Sequence, residues 1–246
     1  MGKSATAAEA LIRNPLLFMR SNLVVIGYGD ISGKTKLFLD DGQGDVWNAN
    51  RTGELPGYFL KGGDDGPGCF DAFWCQYEEN KTFSVVVGPD ADVMFTATMT
   101  GCSLGVGSRT ESGHRLVSHA NCARVGVSVN SEMQDSEPEI RLVKAREAQQ
   151  IAQLESLQET HEGDSGLQIV DPSKYRRDPN WQPIDLKPNL QELSSTTFGV
   201  RDKKTNDWAF YVQKYWVGKK PRFIGLVFVA GVRPYNWAVD SACVLL

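Results

Sequence analysis

Short runs in which apolar and polar residues alternate fill most of the first hundred positions. "NLVVIGYG", "TKLFLDD", "GYFLKG", "FDAFWCQY", "TFSVVVG" and "DVMFTATMTG" are rich in β-branched and aromatic residues and are separated by Gly, Asp, Asn and Pro. That is the pattern of half-buried strands bounded by turns. Ahead of them, residues 5–20 mix Ala and Leu with charges and predict a short helix, kinked or restarted by Pro15. A different period takes over from Ser136 to about Gln158. There Ile140, Val143, Ala148, Ile151, Ala152 and Leu157 approximate one helical face, Ser136 and Glu139 form a capping box, and Pro138 fits the first turn. Residues 161–188 are polar and proline-bearing and predict an irregular surface excursion, so 136–188 is a candidate helix-plus-loop insertion. Strand signals return in "TTFGVRDKKTNDWAFYVQKYW", with "DKKTND" as a hairpin loop, then in "RFIGLVFVAGVRPYNWAV" and "ACVLL". Each set of strands alone would leave an apolar face uncovered. The expectation is one α+β domain over residues 1–246: a mixed, mostly antiparallel β-sandwich with flanking helices.

Composition narrows the chemistry. The chain has 246 residues, 41% hydrophobic and 23% charged, with a net charge of −4. That balance argues against general affinity for nucleic acid or anionic membrane. "KKTND" and "GKKPR" collect positive charge beside Trp208 and Trp216, and a solvated loop is the simpler meaning. No run approaches the roughly 20 apolar residues of a membrane-spanning helix, and "LLFMR" is too short for a signal-peptide core. Gly2 and Thr6 fit the loose N-myristoylation pattern. Five cysteines in irregular spacing leave at least one thiol unpaired within a monomer and suit a reducing cytosol. With three histidines and no CxxC pair or zinc-finger spacing, a structural metal site is not expected. "VVIGYGDISGKT" imitates a phosphate loop, but Tyr28 and Ser32 stand where glycines are required, and a strand follows where a helix is needed.

The strongest chemical signal is "TATMTGCSLGVGSRTESGH". Phe95, Ala97 and Met99 alternate with Thr96, Thr98 and Thr100, placing Cys102 on the hydroxyl side if the strand runs that far. Gly101 allows a tight turn and close approach of substrate to backbone N–H groups, so Gly101 and Cys102 are the candidate oxyanion element. His114 follows after a Gly/Ser-rich return, in position to favour thiolate and to protonate a leaving group. Thr96 is the candidate third group that fixes the imidazole tautomer. His119 competes with His114, Thr98 is a substitute for Thr96, and Cys122 in "HANCARVGV" is expected to be a packed small residue.

Thr96, the Thr-Gly-Cys ending at Cys102, and His114 together resemble the Thr–Cys–His set of Burkholderia lethal factor and the cytotoxic necrotizing factor group of glutamine deamidase toxins. The resemblance is strongest over about twenty residues of "TATMTGCSLGVGSRTESGH". It implies a β-sandwich with flanking helices, a Cys102 nucleophile, a His114 base and no cofactor. It also implies a host protein substrate, either a translation-initiation RNA helicase or, less favoured by the spacing, a Rho-type GTPase. On this reading the chain is a monomeric bacterial effector, held in the bacterial cytoplasm, secreted by a non-classical route, and active in a host cytosol. Two other classes stay open: a different thiol enzyme such as a transglutaminase or peptidase, and a non-catalytic binding module that presents Trp181, Trp208 and Trp237.

Overall fold

The computed structural model describes residues 3–26, 32–41, 46–47, 54–173, 190–224, 227–236 and 243–245. It opens with two short helices rather than one. Ser4 caps α1 (Ala5–Arg13) by accepting the Ala7 N–H, and Asn14 closes it. The Asn14 side chain then accepts the Leu17 N–H at the start of α2 (Pro15–Ser21). Pro15 restarts the helix because a proline without an N–H suits a first turn.

The strands that follow divide between two main sheets. The large sheet runs in the order β1 (Leu23–Ile26), β5 (Gly57–Gly62), β2 (Gly33–Asp41), β6 (Cys69–Cys75), β8 (Val93–Thr96), β12 (Leu190–Asp202), β13 (Asp207–Ile224) and β14 (Val227–Asn236). A further strand, β15 (Cys243–Leu245), also pairs with β13. Only β1–β5 and β6–β8 pair in parallel among the described strands of this sheet. The small sheet is antiparallel, in the order β11 (Gln168–Val170), β9 (Ser103–Val106), β10 (Arg115–Ala120) and β7 (Thr82–Val87). β3 (Val46–Trp47) and β4 (Glu54–Leu55) form a separate ribbon. The fold is therefore α+β with mostly antiparallel sheets, as the alternation of residues predicts.

Strand periodicity explains the layering. Phe70, Ala72 and Trp74 of β6 and Val93 and Phe95 of β8 pack with α1 and α2 on one side of the large sheet. Their neighbours Phe73, Cys75 and Met94 point the other way and meet Leu104, Val106 and Val117 of the small sheet. A second pair of helices, α3 (Ala123–Glu132) and α4 (Pro138–Thr160), lies on the far side, where α4 contacts β9 and β10. The order of layers is helix, sheet, sheet, helix. Burying side chains such as Phe95, Phe198 and Phe210 contributes about 2–3 kcal/mol each.

The large sheet curls until its first strand reaches β12 and β13 through side chains. Thr196 Oγ1 donates to Val24 O at 2.7 Å, and Val24 N–H donates to Gln213 Oε1 at 3.0 Å. These contacts satisfy part of an edge that would otherwise expose backbone polar groups.

Several expectations need correction. The run "DVMFTATMTG" is not one strand: β8 ends at Thr96, and the chain then crosses to the small sheet. On the way Met99 makes a two-bond bridge with Ser195, both bonds at 2.9 Å. Helix α3 arises from the valine-rich "ARVGVSVNSE", which carries no helical signature in its residue types. For α4 the N-cap is Glu137, without a side-chain cap bond, so the Ser136–Glu139 box does not form. Its buried positions are Ala145, Gln153 and Leu157, whereas Ile140, Val143 and Ile151 of the anticipated apolar face are exposed. The excursion after α4 contributes β11 to the small sheet, so that segment is not wholly irregular. Its remaining residues from 174 onward, Trp181 included, lie outside the described residues, as does Trp237.

Candidate active site

The crossover between sheets explains why a strand-like run ends in Gly-Cys. Thr96 finishes a strand of the large sheet and Ser103 begins one of the small sheet, so Cys102 sits where the two sheets face each other. It is 3% exposed. In the small sheet Ser103 pairs with Ala120 and Leu104 with His119. One residue beyond that register, Asn121 Nδ2 donates to Cys102 Sγ at 3.2 Å. Side chains two apart on a strand share a face, so His119 and Asn121 project on the same side as Cys102 and Leu104. His119 is thus the diagonal cross-strand neighbour of the cysteine, at a separation within reach of long side chains.

His114 does not join this group. It precedes β10, seven positions before Asn121, which at about 3.3 Å per residue is roughly 20 Å along the strand. Its Nδ1 bonds Ser112 Oγ at 2.9 Å, and its ring lies over Gly88, where any Cβ would stand 2.4 Å from Cδ2. The return connection holds the turn at Gly113 (φ 82°) and is too local to bring His114 back to Cys102. The base expected at 114 is replaced, in position, by His119.

The environment of His119 fixes its tautomer. Thr96 Oγ1 donates to the Cys75 carbonyl at 3.0 Å, and a carbonyl can only accept. The one hydroxyl proton being used there, the 2.6 Å contact between Thr96 Oγ1 and His119 Nδ1 requires Nδ1–H as donor. In the neutral ring Nε2 then carries a lone pair, and that buried atom has no hydrogen-bond partner. Burial pushes the His119 pKa down from 6.5 to about 4, so the ring is neutral at pH 7. Tyr77 packs over it with ring centroids 5.5 Å apart. Thr96 therefore orients a histidine as its position suggests, but the histidine is His119. Thr98 instead reaches Ile26 O at 3.4 Å.

Asn121 is the residue that sequence reasoning missed. Its Oδ1 accepts two backbone N–H groups, from Asn80 at 3.0 Å and from Ala123 at 3.1 Å. With the oxygen committed, the amide nitrogen is held on Cys102 Sγ. The only available signal was its place two residues after a histidine, and that becomes meaningful once β10 is known to be a strand.

The other thiols differ. Cys75 is fully buried, with its Sγ beside the Phe83 and Val117 carbonyls. Burial pushes its pKa up to about 12. Cys122 is the half-buried N-cap of α3, not a fully packed residue, and burial, with Glu155 nearby, raises its pKa. Trp208 is 5% exposed and belongs to the core between the sheets, so it is not a presented recognition residue. A groove of about 830 Å³ bordered by Glu9, Arg13, Asp92 and Lys203 lies on the helix side of the large sheet and includes none of the Cys102 cluster. Among the described residues no three His, Cys, Asp or Glu side chains gather as a metal-holding group, and no helix is long and apolar enough to cross a membrane.

Neither a protein-family model nor a curated protein sequence matches this chain.

Proposed function

We propose that the chain is a cysteine-dependent glutamine deamidase that acts on a protein side chain, with Cys102 as nucleophile, His119 as base and Thr96 as the orienting group. The observation that carries this reading is the unpartnered Nε2 of a buried, neutral histidine on the same sheet face as the thiol. A buried nitrogen left unpaired is costly in a native fold and calls for a use. Nε2 takes the Sγ proton as Sγ attacks the carboxamide carbon. The imidazolium returns that proton to the departing ammonia, leaving a thioester. Water then gives a proton to Nε2 and its oxygen to the acyl carbon, the C–S bond breaks, and glutamate and free thiol are released. Asn121 Nδ2 stabilises the negative charge that sulfur carries as it loses its proton and again as it leaves the acyl carbon, before the imidazolium returns a proton to it.

The substrate class comes from the resemblance of the Thr96–Cys102 element to the deamidase toxins, which favours a translation-initiation RNA helicase over a Rho-type GTPase. The test is to expose a eukaryotic lysate to the wild-type chain and to Cys102→Ser, then to compare tryptic peptides by mass spectrometry. Glutamine-to-glutamate conversion seen only with wild type supports the reading and identifies the target. A folded wild type that converts nothing removes it.

One observation favours a second reading. Cys102 belongs to the apolar cluster between the sheets and is 3% exposed, as a packing cysteine would be. On that account Cys102 alkylates no faster than Cys75, and Cys102→Ser lowers stability without altering any activity.

A further inference from the structure

The face of the small sheet opposite Cys102 holds a glutamine that the deamidation chemistry leaves unused. Gln153 of α4 is fully buried, where an unpaired amide is expensive. Both ends of its side chain are committed to the residues flanking the cysteine. Nε2 donates to Gly101 O at 2.8 Å, and Oε1 accepts from Ser103 Oγ at 2.7 Å. Because β9 begins at Ser103, the Gly101–Cys102 peptide precedes the strand ladder and takes its orientation from this contact. A trans peptide points its C=O and N–H in opposite directions, and all described peptides are trans. With Gly101 O drawn toward α4, the Cys102 N–H is directed to the inter-sheet side, which is the side of Sγ and His119. An oxyanion forming on a carbonyl attacked by Sγ needs a donor there.

We infer that Gln153 is a positioning residue for this reaction: by holding Gly101 O it aims the Cys102 N–H at the developing oxyanion, while Ser103 keeps the Gln153 amide from turning. The inference rests on the reading of Cys102 as a nucleophile. It assigns α4 a task beyond covering the sheet, and it accounts for a polar residue at the centre of that helix's buried face.

Two electrophiles separate positioning from packing. p-Nitrophenyl acetate acylates a thiol through a tetrahedral oxyanion, whereas iodoacetamide alkylates by displacement and forms none. Both are applied to the full chain, and labelling of Cys102 is quantified by peptide mass spectrometry. Gln153→Met removes both bonds at similar volume. Gln153→Glu keeps the acceptor for Ser103 but sets a second acceptor against Gly101 O. The expected result in each is an acylation rate lowered by about 10- to 100-fold with alkylation changed by less than about threefold, since oxyanion donors act only on the first. Rates that fall together, or that do not change, overturn the inference. A wild-type Cys102 inert to both reagents removes the nucleophile reading itself, so the two failures are distinguishable. Ser103→Ala, which retains Gln153 and frees its amide to rotate, is expected to show the same selectivity at several-fold size. It decides the matter if the larger substitutions do not fold.

Discussion

His119 and His161 lie on opposite faces of one small sheet, both buried, and differ in what their ring nitrogens meet. His161, at the C-cap of α4, bonds Ser118 Oγ through Nε2 at 2.9 Å, and Ser118 in turn bonds Ser84 at 2.7 Å. Burial lowers its pKa, with Asp164 pulling the other way. The glycines at 105 and 107 of the β9 segment make room for this histidine, and Ser118 of β10, itself bonded to Ser84 of β7, pairs its Nε2. On the other face Thr96 satisfies one nitrogen of His119 and nothing satisfies the second. The same fold thus pairs Nε2 of one buried imidazole and leaves Nε2 of the other open on the side of a thiol. The unpaired Nε2 beside a thiol, more than burial or a shifted pKa, is what sets His119 apart from His161.

Substituting each histidine in turn is the sharpest way to break this contrast. His119→Ala is expected to lower Cys102-dependent activity by about 10²- to 10⁴-fold, the range of a general base, with a small change in melting temperature. His161→Ala is expected to keep activity within a few-fold and to lose about 2 kcal/mol in urea unfolding, because a buried ring is removed and Ser118 keeps only Ser84 as partner. Equal losses of activity in the two variants would end the distinction.

Acid unfolding reads the same difference. The unfolded chain protonates residue 119 near pH 6.5, but the folded chain does so only near 4. The contribution of the neutral ring is therefore complete above about pH 6.5. It declines as pH falls toward 4 and is then lost, up to about 3 kcal/mol. His161 shifts in the same direction, so the slope across this window should weaken but not vanish in His119→Gln. A slope unchanged by that substitution would mean that the ring is not held neutral.

Smaller effects test the packing behind each face. In Gly105→Ala the new Cβ would stand 3.0 Å from Leu157 Cδ2 and 3.2 Å from His161 Nε2, so these α4 side chains must give by a few tenths of an ångström, at an expected cost of about 1 kcal/mol. Thermal melts of this variant gauge how rigidly the helix seats. Cys75, with its pKa pushed up to about 12, should resist iodoacetamide at mildly alkaline pH while Cys102 reacts. Least of all, His114→Ala should change stability by less than about 0.5 kcal/mol and leave activity near the wild-type level. A large loss of activity there would restore the histidine that spacing alone suggests.

Much of the architecture is legible from residue order. Alternation in "FDAFWCQY" marks a strand whose two sets of side chains serve two cores, alternation in "TFSVVVG" marks one that buries Val85 and Val87 and exposes Val86, and Pro15 marks a helix start. The less legible parts share a physical cause. β9 is the four residues "SLGV", whose glycine serves the close approach of α4 rather than a turn, and α3 is built from β-branched residues that favour strands on their own. In α4 two of the three buried side chains, Ala145 and Gln153, are small or polar, and Leu157 lies against Gly105. Helix periodicity scored on hydrophobicity therefore finds Leu157 but also marks Ile140, Val143 and Ile151, which are exposed.

The residue types of the site, a threonine, a cysteine after glycine and a nearby histidine, were determined by the sequence itself. Which histidine lies on the cysteine's side of the sheet was decided only by tertiary structure. A loop of given length can return to many places, and twelve residues allow a turn that leads anywhere within reach. The pairing of β9 with β10 allows one register: it carries His114 to the far end of the sheet and sets His119 and Asn121 beside Cys102. Spacing along a chain limits contact, whereas hydrogen-bonded register specifies it, because a shift of one residue would turn every side chain of the strand to the opposite face.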